Sequence, residues 1–259
     1  MKRTAIALCL LLTTSFTQAS LDKNGSNKVI TQNLLKKFSK NSSKKELLAL
    51  KKEVLSHKGK AVPALVEVMK NGKYPEKNKW VATFMLGQVM GKKSAPFVSK
   101  FLNHPSWVMR MASLKTLLAL KGKEYKRSFS TALKDKSFIV RSQALDNISK
   151  LNLTSEAPFV WQMLYDKRNY YSPKAKKGKK PSSLKRTNLI KKVIATIGDL
   201  KFQKAKNPLL SMSQKKKYDD IFTEIDSSLI KITGKKSPSG SMKIKKRYWS
   251  KILISSKTF

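Results

Sequence analysis

Residue types able to do chemistry are scarce in this chain: two histidines, fifteen acids and one cysteine in 259 residues. His57 and His104 stand far apart, and Cys9 lies in an apolar run near the start, so no ligand set has zinc-site spacing. The acids are scattered, apart from Asp219, Asp220, Glu224 and Asp226. Asp220 and Glu224 are one helical turn apart, and paired carboxylates do acid–base work when burial splits their pKa values. They begin a predicted helix, where acids complement the positive end of the dipole, and are read as structural. Gly87-Gln88-Val89-Met90-Gly91-Lys92-Lys93 approaches a phosphate-binding loop. It is one residue short, carries Lys93 where Ser or Thr would hold magnesium, and falls inside a predicted helix. Ser182-Ser183-Leu184-Lys185 fits Ser-x-x-Lys, as do Ser42–Lys45 and Ser228–Lys231. In a chain this rich in serine and lysine such matches arise by chance, and the companion motifs are missing. No catalytic residue, metal site or cofactor is assigned, and the chain is read as a non-enzyme.

What the chain has in excess is cation. It carries 56 lysines and arginines against 15 acids, a formal charge of +41. Such a balance keeps a protein soluble, strains its compact state and favours polyanions: nucleic acid, anionic lipid headgroups, anionic envelope polymers or acidic proteins. Lysine is a point charge without a recognition geometry of its own, so a lysine-rich proteome would leave the same mark. The densest stretch is 167–183, which has no acid. Lys167, Arg168, Lys174, Lys176, Lys177, Lys179 and Lys180 stand there beside Tyr165, Tyr170 and Tyr171, with Lys185 and Arg186 just beyond. Cations meet phosphates and rings stack on bases, so these residues are the candidate partner-binding set. The same stretch also reads as a solvated lysine loop. Pro173, Gly178 and Pro181 argue against a regular element within it.

Met1-Lys2-Arg3, the apolar Ala5–Leu12 and Thr17-Gln18-Ala19 have the layout of a secretory signal peptide over 1–19, cut before Ser20. The apolar run is too short to span a bilayer. Cleavage would remove Lys2, Arg3 and the cysteine, leaving no disulfide or thiol chemistry. The expectation is an exported bacterial protein, periplasmic or secreted, monomeric and without a membrane span.

The elements that must position these residues repeat. Shifted by thirty-one residues, His104-Pro-Ser-Trp-Val-Met-Arg110 falls on Asp135-Lys-Ser-Phe-Ile-Val-Arg141. Leu117 meets Ile148, and Leu120 meets Leu151. Two periods separate Ala95-Pro96-Phe97-Val98 from its identical copy Ala157-Pro158-Phe159-Val160, and likewise His104 from a second turn acid, Asp166. A fixed period near thirty residues marks stacked helix pairs. Residues 20–28 are expected to be an irregular start, and 20–59 to form an N-terminal helical cap with a Ser43–Glu46 capping box and a stop at Gly59. Residues 60–234 hold the pairs, with Pro63, Pro96 and Pro158 in first turns and second helices closed by Gly91, Gly122, Gly198 and Gly234. The insertion at 167–183 interrupts the fourth pair. Residues 235–259, with Tyr248, Trp249, Ile252 and Leu253, form a C-terminal cap. Trp80, Trp107 and Trp161 are read as core. Period-two alternation is missing, so the class is all-α.

A turn acid, then Val-Arg, a small residue three later and an aliphatic seven later resembles the short bacterial HEAT repeat of the PBS-lyase-like type. The best copy is Asp135, Val140-Arg141, Ala144, Ile148 and Leu151. The resemblance covers 61–234. His104 replaces the acid in the second repeat, Lys79 replaces arginine in the first, and the fourth and fifth keep only the apolar spacing. It implies a right-handed α-solenoid of about five helix pairs with caps, in which acid and arginine tie neighbouring turns. Such a scaffold is expected to bind an acidic macromolecule, a protein first, with nucleic acid as the alternative.

Overall fold

Ser43 starts a helix by accepting the Glu46 N–H while the Glu46 carboxylate accepts the Ser43 N–H at 2.6 Å, the expected capping box. Pro63, Pro96 and Pro158 stand in the first turns of later helices, where a missing N–H costs nothing. The computed structural model describes residues 25–171, 185–186 and 188–255. Their regular elements are helices apart from one two-residue ladder, as the class predicts. The stretch proposed as a signal peptide lies outside the described residues.

The chain divides into two units, Met1–Phe101 and Leu102–Phe259. The first holds α1 (25–38), α2 (Lys44–His57), α3 (Val62–Lys70), α4 (Glu76–Met90) and α5 (Ala95–Ser99). Its first helix includes Gly25–Lys28, which the polar composition had suggested were irregular. Leu34, Phe38, Val54, Leu65, Val68 and Met69 are fully buried and make its core. The second unit holds α6 (Trp107–Ala119), α7 (Lys126–Ala132), α8 (Phe138–Lys150), α9 (Ala157–Gln162), α10 (Asn188–Asp199), α11 (Lys206–Gln214), α12 (Phe222–Thr233) and α13 (Met242–Ser255). In it α6 packs on α8, α8 on α10 and α10 on α12. The helices α7, α9 and α11 lie against α8, α10 and α12, and α13 lies against α11.

The thirty-one-residue period returns as one hydrogen-bond motif. Gly122 N–H donates to the Leu117 carbonyl and Lys121 N–H to Leu118; Leu153 donates to Ile148 and Asn152 to Ser149. Phe202 to Ile197 and Lys201 to Gly198 complete a third copy. This paired bonding caps a helix C-terminus and needs a residue of positive φ. That residue is Lys121, Asn152 or Lys201, with φ of 55°, 51° and 50°. Gly91 and Gly234 end their helices as expected, but Gly122 and Gly198 do not. Gly198 instead lets two helices touch: a Cβ there would lie 2.7 Å from Ser228 Cα. The Ser228 hydroxyl crosses the same contact to donate to the Ile194 carbonyl at 2.8 Å.

The turns between paired helices repeat as well. Asn71, His104, Asp135 and Asp166 each accept the backbone N–H two residues on, at 3.0, 3.0, 2.7 and 3.0 Å. His104 thus does the work of the acid it replaces, through Nδ1. Arg110 ties two such turns. Its Nη1 donates to the His104 and Pro105 carbonyls, while Nε and Nη2 grip the Asp135 carboxylate at 2.7 and 2.9 Å. Arg141 repeats the device one period on, holding the Asp135 and Lys136 carbonyls through Nη1. In the first unit Asn78, not the expected Lys79, makes the tie, donating to the Phe38 and Lys40 carbonyls at 2.6 and 2.7 Å.

Both partners of the Arg110–Asp135 bridge are nearly buried, with side chains 7% and 12% exposed. Removing one strands the other, so Arg110→Ala is expected to destabilise the protein by about 3–5 kcal/mol in denaturant unfolding. An unchanged midpoint would refute the tie. Gly198→Ala is expected to cost about 1–3 kcal/mol by forcing α10 and α12 apart, read in the same titration.

Candidate binding surface

The insertion grows from a neck built like the other turns, with its partners exchanged. Asp166 stands one period after Asp135 and Arg141 one period after Arg110, so the same pairing would join Arg141 to Asp166. Instead Arg141 Nε donates to Asn169 Oδ1 at 2.9 Å and Nη2 to the Arg168 carbonyl at 3.2 Å. Asn169 is buried and returns a bond to the Met163 carbonyl. Asp166 turns to Arg168, whose Nη2 lies 2.6 Å from its carboxylate. Hydrogen bonding from the Arg168 side chain holds the Asp166 carboxyl below its usual range. The reason is local: a neutral amide can sit buried against a guanidinium that already holds two carbonyls, while the more exposed acid pairs with a nearer cation.

Of the proposed partner-binding residues, Arg168 is therefore engaged in the neck, and it also reaches the Lys134 carbonyl. The Tyr170 hydroxyl donates to the Leu164 carbonyl at 2.7 Å, so this half-buried ring serves the scaffold. Lys167 is exposed. Tyr170 and Tyr171 pair antiparallel with Arg186 and Lys185, a short ladder in a segment whose composition argued against one. Lys174, Lys176, Lys177, Lys179 and Lys180 lie outside the described residues.

Two acids of the cluster, Asp219 and Asp226, anchor the C-terminal helix. Trp249 is fully buried and its indole donates to Asp226 at 2.7 Å, while Lys245 reaches the other oxygen at 2.6 Å. Asp219 pairs with Lys246, and Glu224 with Lys191. Burial pushes the Asp226 carboxyl up, but bonds from Lys245, Trp249 and Ser237 with the Lys245 charge pull it down further, below its ordinary value. Other acids are engaged likewise: Glu53 with Lys37, Asp146 with Lys192, Asp199 with Lys231. Among the described residues no group of three or more His, Cys, Asp or Glu is placed to hold a metal. No described helix is long and apolar enough to cross a membrane.

The lysines gather elsewhere. In the second unit Lys121, Lys123, Lys201, Lys204, Lys235 and Lys236 are exposed on the connections that follow second helices. The first unit places Lys58, Lys60, Lys92 and Lys93 the same way. A groove of about 650 Å³ between α7 and α9 adds Lys126, Arg127 and Lys134. Its floor is Glu156, which is buried and accepts both the Ser130 and Ser155 hydroxyls. No protein-family model matches the chain, and none of the curated proteins matches it. The surface must be read from its own chemistry.

The reading of Trp80, Trp107 and Trp161 as core needs correction. Trp107 is 43% exposed and its repeat-mate Phe138 is 50% exposed, so neither is core. Both are the first residue of their helix, and the inward positions fall two residues later, on the buried Met109 and Val140. Trp80 and Trp161 are half-buried. Trp249, placed in the C-terminal cap by its sequence, is fully buried, although the period ends before it.

A carboxyl depressed by folding contributes stability above its unfolded value, about 3.9, and loses it as pH falls through the folded value. Hydrogen-exchange protection across α13, corrected for the slower intrinsic exchange in acid, is therefore expected to fall below about pH 4. Asp226→Asn should weaken the anchor at neutral pH by about 1.5–3 kcal/mol and flatten that acid dependence. An α13 as protected at low pH as at neutral pH would contradict this.

Proposed function

We propose that the protein is an exported, monomeric, non-catalytic scaffold, a right-handed α-solenoid of HEAT-like pairs that binds an acidic protein. The observation that carries this reading is the division of charge. Most described carboxylates, with Arg110, Arg141 and Arg168, are engaged in turns, caps and helix contacts, while lysines stand exposed on successive connections. The recurring caps and turn ties favour stacked repeats. Stacking would set the basic connections roughly one helix spacing apart, about 8–10 Å. At physiological ionic strength charges farther apart than about 8 Å are screened, so each connection would act locally and binding would depend on several contacts at once. The insertion, with Lys174, Lys176, Lys177, Lys179 and Lys180, would add a second basic patch. A second reading rests on exposed Trp107 and Phe138, rings that would stack on bases beside the lysines of a nucleic-acid site.

The test is a titration with an acidic protein domain and with single-stranded DNA, each at several salt concentrations. Replacing Lys121, Lys123, Lys201 and Lys204 by Gln should weaken binding to the acidic domain at least tenfold and lower the salt slope. Replacing the insertion lysines should do so independently. Tighter binding to DNA, lost with Trp107→Ala, would establish the second reading instead. Undiminished binding by both lysine variants would remove the proposal.

A further inference from the structure

The first unit carries a surface of a different kind. Between α2 and α4 runs an open groove of about 400 Å³ lined by Leu47, Leu48, Trp80, Val81, Phe84 and Met85, with Lys44, Lys51 and Lys77 at its rim. The lining follows helical spacing on both walls. On α2 it takes 44, 47, 48 and 51; on α4 it takes 77, 80, 81, 84 and 85. Residues three and four apart share a helix face, so two apolar stripes face one trough. Leu48 is 55% exposed and Phe84 is 36% exposed. Leu55, one heptad beyond Leu48, is also exposed and prolongs the track along α2.

Solubility does not call for this face. An apolar track rimmed by lysine is the kind of surface that a partner covers. None of the lining residues is an acid. Of the unit's described acids, Glu46 is engaged in the capping box, Glu53 with Lys37 and Glu67 with Asn71, while Glu76 is the first residue of α4. The rim cations are placed rather than scattered. Lys77 donates to the Ser42 carbonyl at 3.1 Å, and Lys51 lies over the Phe84 ring, 5.8 Å from its centre.

We propose that this groove docks an amphipathic helix of a partner protein, leucine-like residues down on Leu47, Leu48, Val81 and Phe84 and acidic residues outward to Lys44, Lys51 and Lys77. An open trough between two helices accepts a third by the same anchor spacing, i, i+3, i+4 and i+7. Charge selects the occupant. A second copy of this chain would bring +41 against a basic rim. The chain's own first 24 residues, with Lys2, Arg3 and Lys23 against Asp22, are a poor complement for the same reason. The proposal rests on the acidic-protein reading for the partner's class but uses none of the connection or insertion lysines.

The experiment uses the full chain and two fluorescein-labelled synthetic peptides of one composition. In one, leucines follow i, i+3, i+4 and i+7 among glutamates; in the other the order is shuffled so that no helical face forms. Fluorescence anisotropy at physiological salt should give the patterned peptide at least a tenfold lower Kd. Leu48→Glu should abolish that preference, and this residue is exposed, so the fold should survive in a circular dichroism melt. Phe84→Ser should do the same through lost contact area. Equal affinity for both peptides would leave an acidic partner standing and overturn the groove. Binding of neither peptide, even at low salt, would overturn both. A dimer in sedimentation that Leu48→Glu dissociates would make the occupant a second copy and also overturn the proposal.

Discussion

A single guanidinium holding two turns at once is the interaction on which the repeating part of the second unit depends. Arg110 satisfies the carbonyls of its own turn with one nitrogen and reaches the next turn's acid with the other two. Arginine suits this because its planar fork presents donors in two directions without rearrangement. Once the turn is tied, the helix leaving it has a set direction, and Met109, Leu114 and Leu117 enter the core together. Burying so large a cation is tolerable only because nearly every donor is used. Where the sequence cannot supply arginine, as in the first unit, Asn78 gives a smaller version of the same tie.

This architecture also governs the electrostatics. Most of the described carboxylates organise backbone or anchor a cation, and Asp226 gathers Lys245 and the Trp249 indole at one buried point. Acids engaged in this way leave the surface field to lysine. A field of that sign draws polyanions without choosing among them. Choice requires shape, and shape is found where apolar side chains meet charge. The α2–α4 trough joins both features in one place, whereas the α7–α9 groove is mainly charge over a satisfied acid.

Much of this was legible beforehand, because periodic burial writes itself into spacing. The thirty-one-residue offset predicted matching turns, and His104 was read as a turn residue before its Nδ1 was seen accepting the Ser106 N–H. What spacing does not supply is the partner. Asp166 stood at the right distance to receive Arg141, yet Asn169 receives it. Sequence spacing places a residue on a turn but does not say which oxygen lies nearer a given nitrogen. Gly122 and Gly198 were read as helix stops because glycine usually ends helices. The positive φ fell instead on Lys121 and Lys201, and Gly198 is needed for the absence of a Cβ against Ser228. Trp107 was assigned to the core by its repeat-equivalent position, although the inward positions of its helix begin at Met109.

The sequence by itself determined the helical class, the period, the capping box at Ser43 and the excess of positive charge. These follow from local spacing and composition, which need no knowledge of distant contacts. Only the tertiary structure decided which acids are occupied, that Arg168 and Tyr170 belong to the neck of the insertion, and that Leu48 and Phe84 share a trough. Those outcomes depend on residues far apart in the chain coming within a few ångströms, where desolvation and hydrogen-bond geometry select one partner among several of equal spacing.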